Sequence, residues 1–298
     1  MLGDAPQAPA QKFSTFNTLS LTRLNVPSNN TGGWSIDTAD RQLVRSFYNS
    51  VYQASEDTPI DWSGDQSTCS AGDTSNDFKN AVLARINFFR AMAGVPANIT
   101  LNANYSAKSQ QAALMMSANN SLNHYPPNSW NCYTADGYEA AGNSNLSLGR
   151  NGWDAVAGQM QDNGVNNTAT GHRKWILWPQ TQSMGTGDVA AANGGYPATN
   201  SLWVFDENTF ATMPATRDDF VAWPAKGFNP YHIVPIRWSF TYQNADFSSA
   251  SVSVTQDGNT LPISIDHTEN DTFGSIVWRI NNMTANSDWP KPTADTIY

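Results

Sequence analysis

The amino-acid sequence predicts an α+β chain in which helices come first and strands follow. Three observations carry that reading. Apolar residues recur at helical spacing between about residues 75 and 178, short strand-like segments follow at 183–206, and from about 221 the pattern is wholly β. A chain of 298 residues has room for one large domain or two ordinary ones.

Residues 1–75 are rich in Pro, Ser, Thr, Asn and Asp, with one predicted helix over 37–53 whose buried face is Leu43, Val44, Phe47 and Val51. This segment lacks the apolar content for a core of its own. It is expected to wrap the domain that follows, at 76–222. There, SNDFKNAVLARINFFRAMAGVP predicts a helix capped by Ser75 or Asp77, with a stripe of Val82, Leu83, Ile86, Phe89 and Met92. Gly94 and Pro96 stop it. An Ala-rich amphipathic helix covers 103–120, and a long loop is expected over 121–150. A third helix at 153–162 breaks at Asn163-Gly164, and GHRKWILW makes a short fourth that Pro179 ends. SMGTGDV and SLWVFD then read as strands around a Gly/Ala/Asn loop.

The stretch WPAKGFNPYHIVP (223–235) reads as a linker, and 236–298 as a small β-sandwich of immunoglobulin-like type. Its strands are IRWSFTY, SASVSVTQ, NTLPISI and SIVWRI, with a hairpin turn at Asp257-Gly258. The closing DTIY reads as a strand cut short.

Composition excludes some partners. The net charge is −9 and only 14% of residues are charged, so no basic stripe exists to hold nucleic acid or an anionic membrane. No apolar run reaches transmembrane length, and the first residues do not form a signal peptide, as expected of a mature secreted chain. Cys69 and Cys132 lie in polar contexts and are expected to form one disulfide in an oxidising compartment. Sequons at Asn29, Asn98, Asn104, Asn145 and Asn270 fit secretion and glycosylation, although an Asn-rich chain also produces them by chance.

Sharp catalytic motifs are missing: there is no HExxH, no phosphate loop, no GxSxG and no zinc-type cysteine cluster. GTGDVAAANGG lacks the strand–loop–helix surroundings of a dinucleotide site. The candidate chemistry is a scattered set: His124 in SLNHYPP, Glu139 and Ser144 in YEAAGNSNL, Asp162 in QMQDNG and His172 in TGHRKW. Imidazoles beside carboxylates suit Zn²⁺ or a similar metal, but they serve equally as buried hydrogen-bonding groups that hold loops. Ser144 with a histidine and Asp162 would be a Ser-His-Asp device, although GNSNL has no strained nucleophile elbow. His232 and His267 read as solvated or structural. Trp153, Trp175, Trp178, Trp203 and Trp223 read as core, or alternatively as a carbohydrate-stacking surface.

The order of segments resembles the CAP superfamily, the SCP-like extracellular, cysteine-rich secretory, antigen 5 and pathogenesis-related proteins, in its bacterial SCP-like form. LARINFFRAMAGVP, the loop with His124, SNLSLG, AVAGQMQD, GHRKWILWP, SMGTGDV and SLWVFD follow the family's sequence of motifs over roughly 77–210. The resemblance implies an α-β-α sandwich whose cleft is lined by two histidines and two acidic residues. The histidines are His124 and His172. The glutamate of the family's Glu-Asn-Leu motif falls on Ser144, and the second acid on Asp162. Two imidazoles and one carboxylate therefore remain as a weak site for Zn²⁺ or another divalent metal. Glu139, five residues before Ser144, is the candidate to reach back into the cleft.

Three functions are carried forward. The first is a secreted ligand-binding or interaction module with a His-lined cleft, taking a lipid, a sterol or a metal ion without catalysis. The second is a structural or adhesive part of a surface assembly that meets an extracellular protein, a glycan or a second copy. The third is a peptidase-like extracellular hydrolase using a metal or Ser144 with His172.

Overall fold

The computed structural model describes residues 1–6, 33–270, 272, 274–284 and 288–298. The first element, α1 (Arg41–Phe47), starts where the Asp40 carboxylate accepts from the amides of Gln42 and Leu43. It runs into a π-turn over Tyr48–Tyr52 rather than continuing as an α-helix to 53. Val44, Phe47 and Val51 are buried as expected, but Leu43 is 41% exposed and lies off the stripe.

Helix α2 (Asn76–Ala93) is the central pillar. Ser75 caps it through the Phe78 amide, and Gly94 ends it at φ 76°, a left-handed conformation that glycine adopts without strain. Besides its apolar stripe it buries two arginines. Arg90 is completely enclosed and donates to the carbonyls of Pro96, Ile176, Trp178 and Thr181 at 2.7–3.1 Å. Burial lowers its pKa to about 9. One guanidinium thus serves four carbonyls at once, of which that of Trp178 has a second donor in the Thr181 amide.

The central sheet comprises β1 (Thr100–Leu101), β2 (Ser144–Leu148), β3 (Ser183–Val189) and β4 (Thr199–Trp203) in the order β1-β3-β4-β2. Helices α3 (Ala103–Asn119) and α4 (Ala135–Asn143) cover one face, and α5 (Gly152–Gln161), backed by α2, covers the other. The layers are helix, sheet, helix. Two glycines of β3 make this approach possible: a Cβ on Gly187 would lie 2.0 Å from the Ser109 backbone, and one on Gly185 would lie 2.5 Å from Tyr105. The glycines of SMGTGDV are therefore packing residues, where α3 rests on the strand backbone.

The expected loop over 121–150 contains α4 and β2. Thr134 starts α4 by accepting from the Gly137 amide at 2.9 Å. β2 reads SNLSL, which carries no strong apolar alternation because one of its faces meets a polar layer. Pairing with β4 decides its state.

Behind β2 lies α6 (Gly171–Ile176). The later strands β5 (Val221–Trp223), β6 (Arg237–Thr241), β9 (Ile263–Glu269) and β10 (Ser275–Ile280) form an antiparallel sheet in the order β5-β6-β10-β9. β7 (Val254–Gln256) and β8 (Asn259–Leu261) form a hairpin beside it. Asp257 (φ 48°) and Gly258 (φ 85°) both take positive φ, as a two-residue hairpin turn requires. NTLPISI is two strands, because Pro262 cannot donate to a ladder.

Residues 223–235, read as a linker from the sequence, are held down. Trp223, Ala225 and Ile233 are buried in the same core cluster as α2, and Trp223 belongs to β5. Cys69 and Cys132 are joined as a disulfide, tying the segment before α2 to the loop after α3. Among the described residues, no helix is long and apolar enough to cross a membrane.

Candidate functional site: a cleft at the edge of the central sheet

The site is built around α6 and the edge strand β2. α5 ends at Asp162, which takes a left-handed conformation at φ 52°, and α6 begins after Thr170, also left-handed at φ 48°. Asp tolerates this conformation through its short polar side chain, whereas for Thr it is strained. The two turns bring the Asp162 carboxylate under α6. Its Oδ1 lies 2.8 Å from His172 Nδ1, and its Oδ2 accepts from the Arg173 amide at 3.2 Å. Both side chains are fully enclosed. His172 Nε2 is buried and makes no hydrogen bond.

A chain of polar side chains continues from His172 beneath β2. Asn145 donates to the His172 carbonyl at 3.0 Å and to Gln159 at 3.3 Å. Gln159 donates to Ser147 and Asn200, and Asn200 to Asp188. Asp188 also accepts from Thr186 and from the Gly152 amide. Burial raises its pKa above the usual carboxylate value, against those hydrogen bonds.

Ser144 is on the wrong side of the sheet for this network. It stands opposite Trp203 in the β2–β4 register, and the Trp203 ring stacks on Tyr105 of α3 at 4.5 Å. Alternate residues of a strand face opposite ways, so Ser144 faces the α3 and α4 layer while Asn145 faces α6. Its hydroxyl is buried without a hydrogen bond. The Asp162–His172 pair therefore has no serine nucleophile in Ser144.

His124 lies on the α4 side of the cleft. Its Nδ1 is 2.7 Å from the Ala141 carbonyl, and its Nε2 is 2.5 Å from the Asp4 carbonyl. Both ring nitrogens therefore face main-chain carbonyls, and which of them donates depends on the tautomer. Glu139 does not reach the cleft. It lies two positions before Ala141 on the same helix, is 51% exposed, and pairs with Lys108 of α3 at 2.6 Å.

These positions test the metal that the resemblance implies. Both His124 ring nitrogens face main-chain carbonyls, the Asp162 oxygens are committed to His172 and Arg173, and Glu139 points elsewhere. Only His172 Nε2 is available, and a single imidazole nitrogen does not make a divalent-cation site. Among the described residues, no group of three or more His, Cys, Asp and Glu converges as one. The residues present do not fit the metal.

The sequence reading missed what fills the cleft. Residues 1–6 lie along it, with Leu2 bridged antiparallel to Ser147 on the open edge of β2. The Trp175 indole donates to the Pro6 carbonyl at 3.0 Å, and Asn166 to the Asp4 carboxylate at 2.9 Å. A segment held by a single bridge at Leu2 carries no periodicity to read. Gly171 immediately before His172 was the one available hint of a close approach.

Also missed was the work of the two cations in GHRKW. Arg173 is 1% exposed and donates to the carbonyls of Met160, Gln161 and Arg237 and to the Ser239 hydroxyl. Burial lowers its pKa to about 10. Lys174 pairs with Glu269 of β9. Arg237 in turn reaches the Asp162 and Gly164 carbonyls and pairs with Asp266. α6 is thus clamped to the C-terminal sheet. Trp175, Trp178, Trp203 and Trp223 are all under 8% exposed, as core residues would be. Asn145 is fully buried, so its sequon is closed to a glycan in the folded chain, while Asn104 and Asn270 are exposed. Asn29 lies outside the described residues.

A three-layer α-β-α domain with a histidine on each side of a sheet-edge cleft defines the class. Residues 83–206 match the family model of the cysteine-rich secretory protein family, CAP, which supports a CAP domain over that stretch. A search of curated proteins found no match to the chain.

Proposed function

We propose that this is an extracellular CAP-domain protein whose cleft binds a ligand or partner without catalysis. The observation that carries this is the separation of the catalytic candidates. Asp162 and His172 are paired and enclosed, Ser144 faces the other side of the sheet, and both His124 nitrogens are occupied by carbonyls. The disulfide supports an oxidising, extracellular setting.

The test is turnover. Fluorogenic peptides and activated esters are incubated with the parent protein and with His172→Ala. Equal rates at the background level are the expected result, and a His172-dependent rate overturns the reading.

An adhesive role is the second reading, and a separate feature favours it. A cavity of about 560 Å³ at the C-terminal unit is lined by Tyr48, Phe228, Tyr231, Trp238, Trp289 and Tyr298 among others. Aromatic faces of this kind suit a glycan or a protein side chain. An immunoglobulin-like character for this unit is part of that reading. It rests on the four-stranded sheet and hairpin around a Trp-containing core.

A further inference from the structure

We propose that the cleft is a groove for an extended peptide, with residues 1–6 as its own-chain occupant. This rests on the reading of the site as a non-catalytic binding cleft and names the class of ligand. β2 is an edge strand, and an edge strand offers a row of unpaired N–H and C=O groups to another strand. Here Met1 and Leu148 exchange backbone hydrogen bonds of 2.5 and 2.9 Å around the Leu2–Ser147 bridge. Strand addition of this kind draws affinity from the main chain and selectivity from side-chain pockets.

Beyond the pairing, two side chains from different elements hold main-chain carbonyls. His124, from the loop after α3, holds that of Asp4, and Trp175 of α6 holds that of Pro6. Neither contact depends on the identity of the residue held. Proline at the sixth place loses nothing, because only its carbonyl is used. The selective element is the floor. A Cβ on Gly171 would lie 2.4 Å from the Ala5 Cβ, so the fifth residue of the occupant sits directly over a glycine and has no room for a large side chain. Gly3 is less tightly seated: an added Cβ would lie 3.3 Å from Leu122 Cδ1, the end of a side chain that can give way. The groove therefore takes an extended, backbone-read segment with a small residue at the fifth place, and a proline after it is accepted.

Residues 1–6 satisfy every one of these requirements. Being covalently attached, they compete at the high effective concentration of an intramolecular ligand. A peptide supplied in trans binds only when they are out of the groove.

The experiment uses the peptide MLGDAP, extended by a short Gly/Ser spacer and a fluorophore, and reads anisotropy against three proteins. These are the parent, a variant lacking residues 1–6, and the intact chain carrying Ala5→Trp, which is too large to sit over Gly171. Near-ultraviolet circular dichroism and an intact Cys69–Cys132 disulfide report folding. The peptide is expected to bind both variants at least tenfold more tightly than the parent, and the peptide bearing Trp at its fifth place to bind neither. If the deletion variant does not fold, the Ala5→Trp chain alone decides. Equal binding to parent and variants, or no binding to a folded variant, overturns the proposal.

Mass spectrometry of the recovered peptide separates this outcome from that of the underlying reading. A peptide bound and recovered whole supports both. A peptide bound and cleaved leaves the groove standing and overturns the non-catalytic reading. A peptide neither bound nor cleaved overturns the groove alone.

Discussion

Replacing Arg173 by methionine tests the claim that α6 is held by buried backbone hydrogen bonds and not by its apolar side chains alone. The substitution keeps an unbranched side chain of comparable length and removes the guanidinium. It removes the donor from three carbonyls, the enclosed ones of Met160 and Arg237 and the part-buried one of Gln161, which now accept at 2.7, 2.9 and 3.1 Å. Each buried acceptor left without a partner costs about 1–3 kcal/mol, so this loss is about 3–9 kcal/mol. A gain opposes it. Burial depresses the Arg173 pKa from 12.5 to about 10. At about 1.4 kcal/mol per unit, removing that buried charge returns roughly 3 kcal/mol. The acceptor loss outweighs that gain over most of its range, and the net destabilisation expected is about 0–6 kcal/mol, centred near 3. Arg173→Lys keeps the charge but cannot span four acceptors, so it is expected to lose at least as much. The assay is urea unfolding followed by tryptophan fluorescence, comparing midpoints at constant slope. A methionine variant more stable than the parent would refute the reasoning, because the carbonyls would then be satisfied without the arginine.

Four further outcomes are expected. Replacing both Cys69 and Cys132 by serine opens a cross-link of sequence separation 63 and should lower stability by roughly 4 kcal/mol, measured by urea midpoint under non-reducing conditions. Gly187→Ala should destabilise by at least about 3 kcal/mol, because its Cβ would meet backbone atoms of α3 and not a flexible side-chain end. Asp188 has a raised pKa in the fold, so it binds its proton more tightly there than unfolded, and its contribution to stability falls as pH rises from about 3.8 through the folded value. Asp188→Asn keeps an acceptor for Gly152 and Asn200 and should remove that decline, seen as a flatter curve of unfolding midpoint against pH. Glu269 behaves oppositely. Burial pushes its pKa up, but the Lys174 hydrogen bond, with His267 close by, holds it down to about 2, so its contribution is present above about 4.5 and is lost as pH falls towards 2. Glu269→Gln should blunt that acid sensitivity in the same titration.

Elements with strong local signals were legible in the sequence. α2 carries its cap at Ser75, its apolar stripe and its left-handed glycine within one continuous segment, and the Asp257-Gly258 turn declares its hairpin by residue type alone. What escaped was decided by tertiary partners. α4 and β2 are short and polar enough to read as loop, and only pairing with β4 and cover from α3 give them regular structure. The buried roles of Arg90 and Arg173 escaped as well, because nothing local announces that seven carbonyls converge on them.

The candidate site shows the same division more sharply, because motif position places a residue along the chain but not on a face. His124 and His172 were both found, yet each ring is committed differently: one to two carbonyls, the other to Asp162. Ser144 precedes Asn145 by one residue, and in a strand one residue is the difference between opposite faces. Had the register of β2 against β4 been shifted by one, Ser144 would have stood beneath His172 and Asn145 against α3. The observed register instead puts Ser144 opposite Trp203, whose ring is fixed by its stack on Tyr105. A slip would carry Leu146 out of the α3 and α4 core, where it is fully buried, and into the polar layer of Gln159 and Asn200. The burial of Leu146 and the stacking of Trp203 thus hold β2 in the register that keeps Ser144 away from His172. The chemistry of the cleft is constrained by apolar packing on the far side of the sheet.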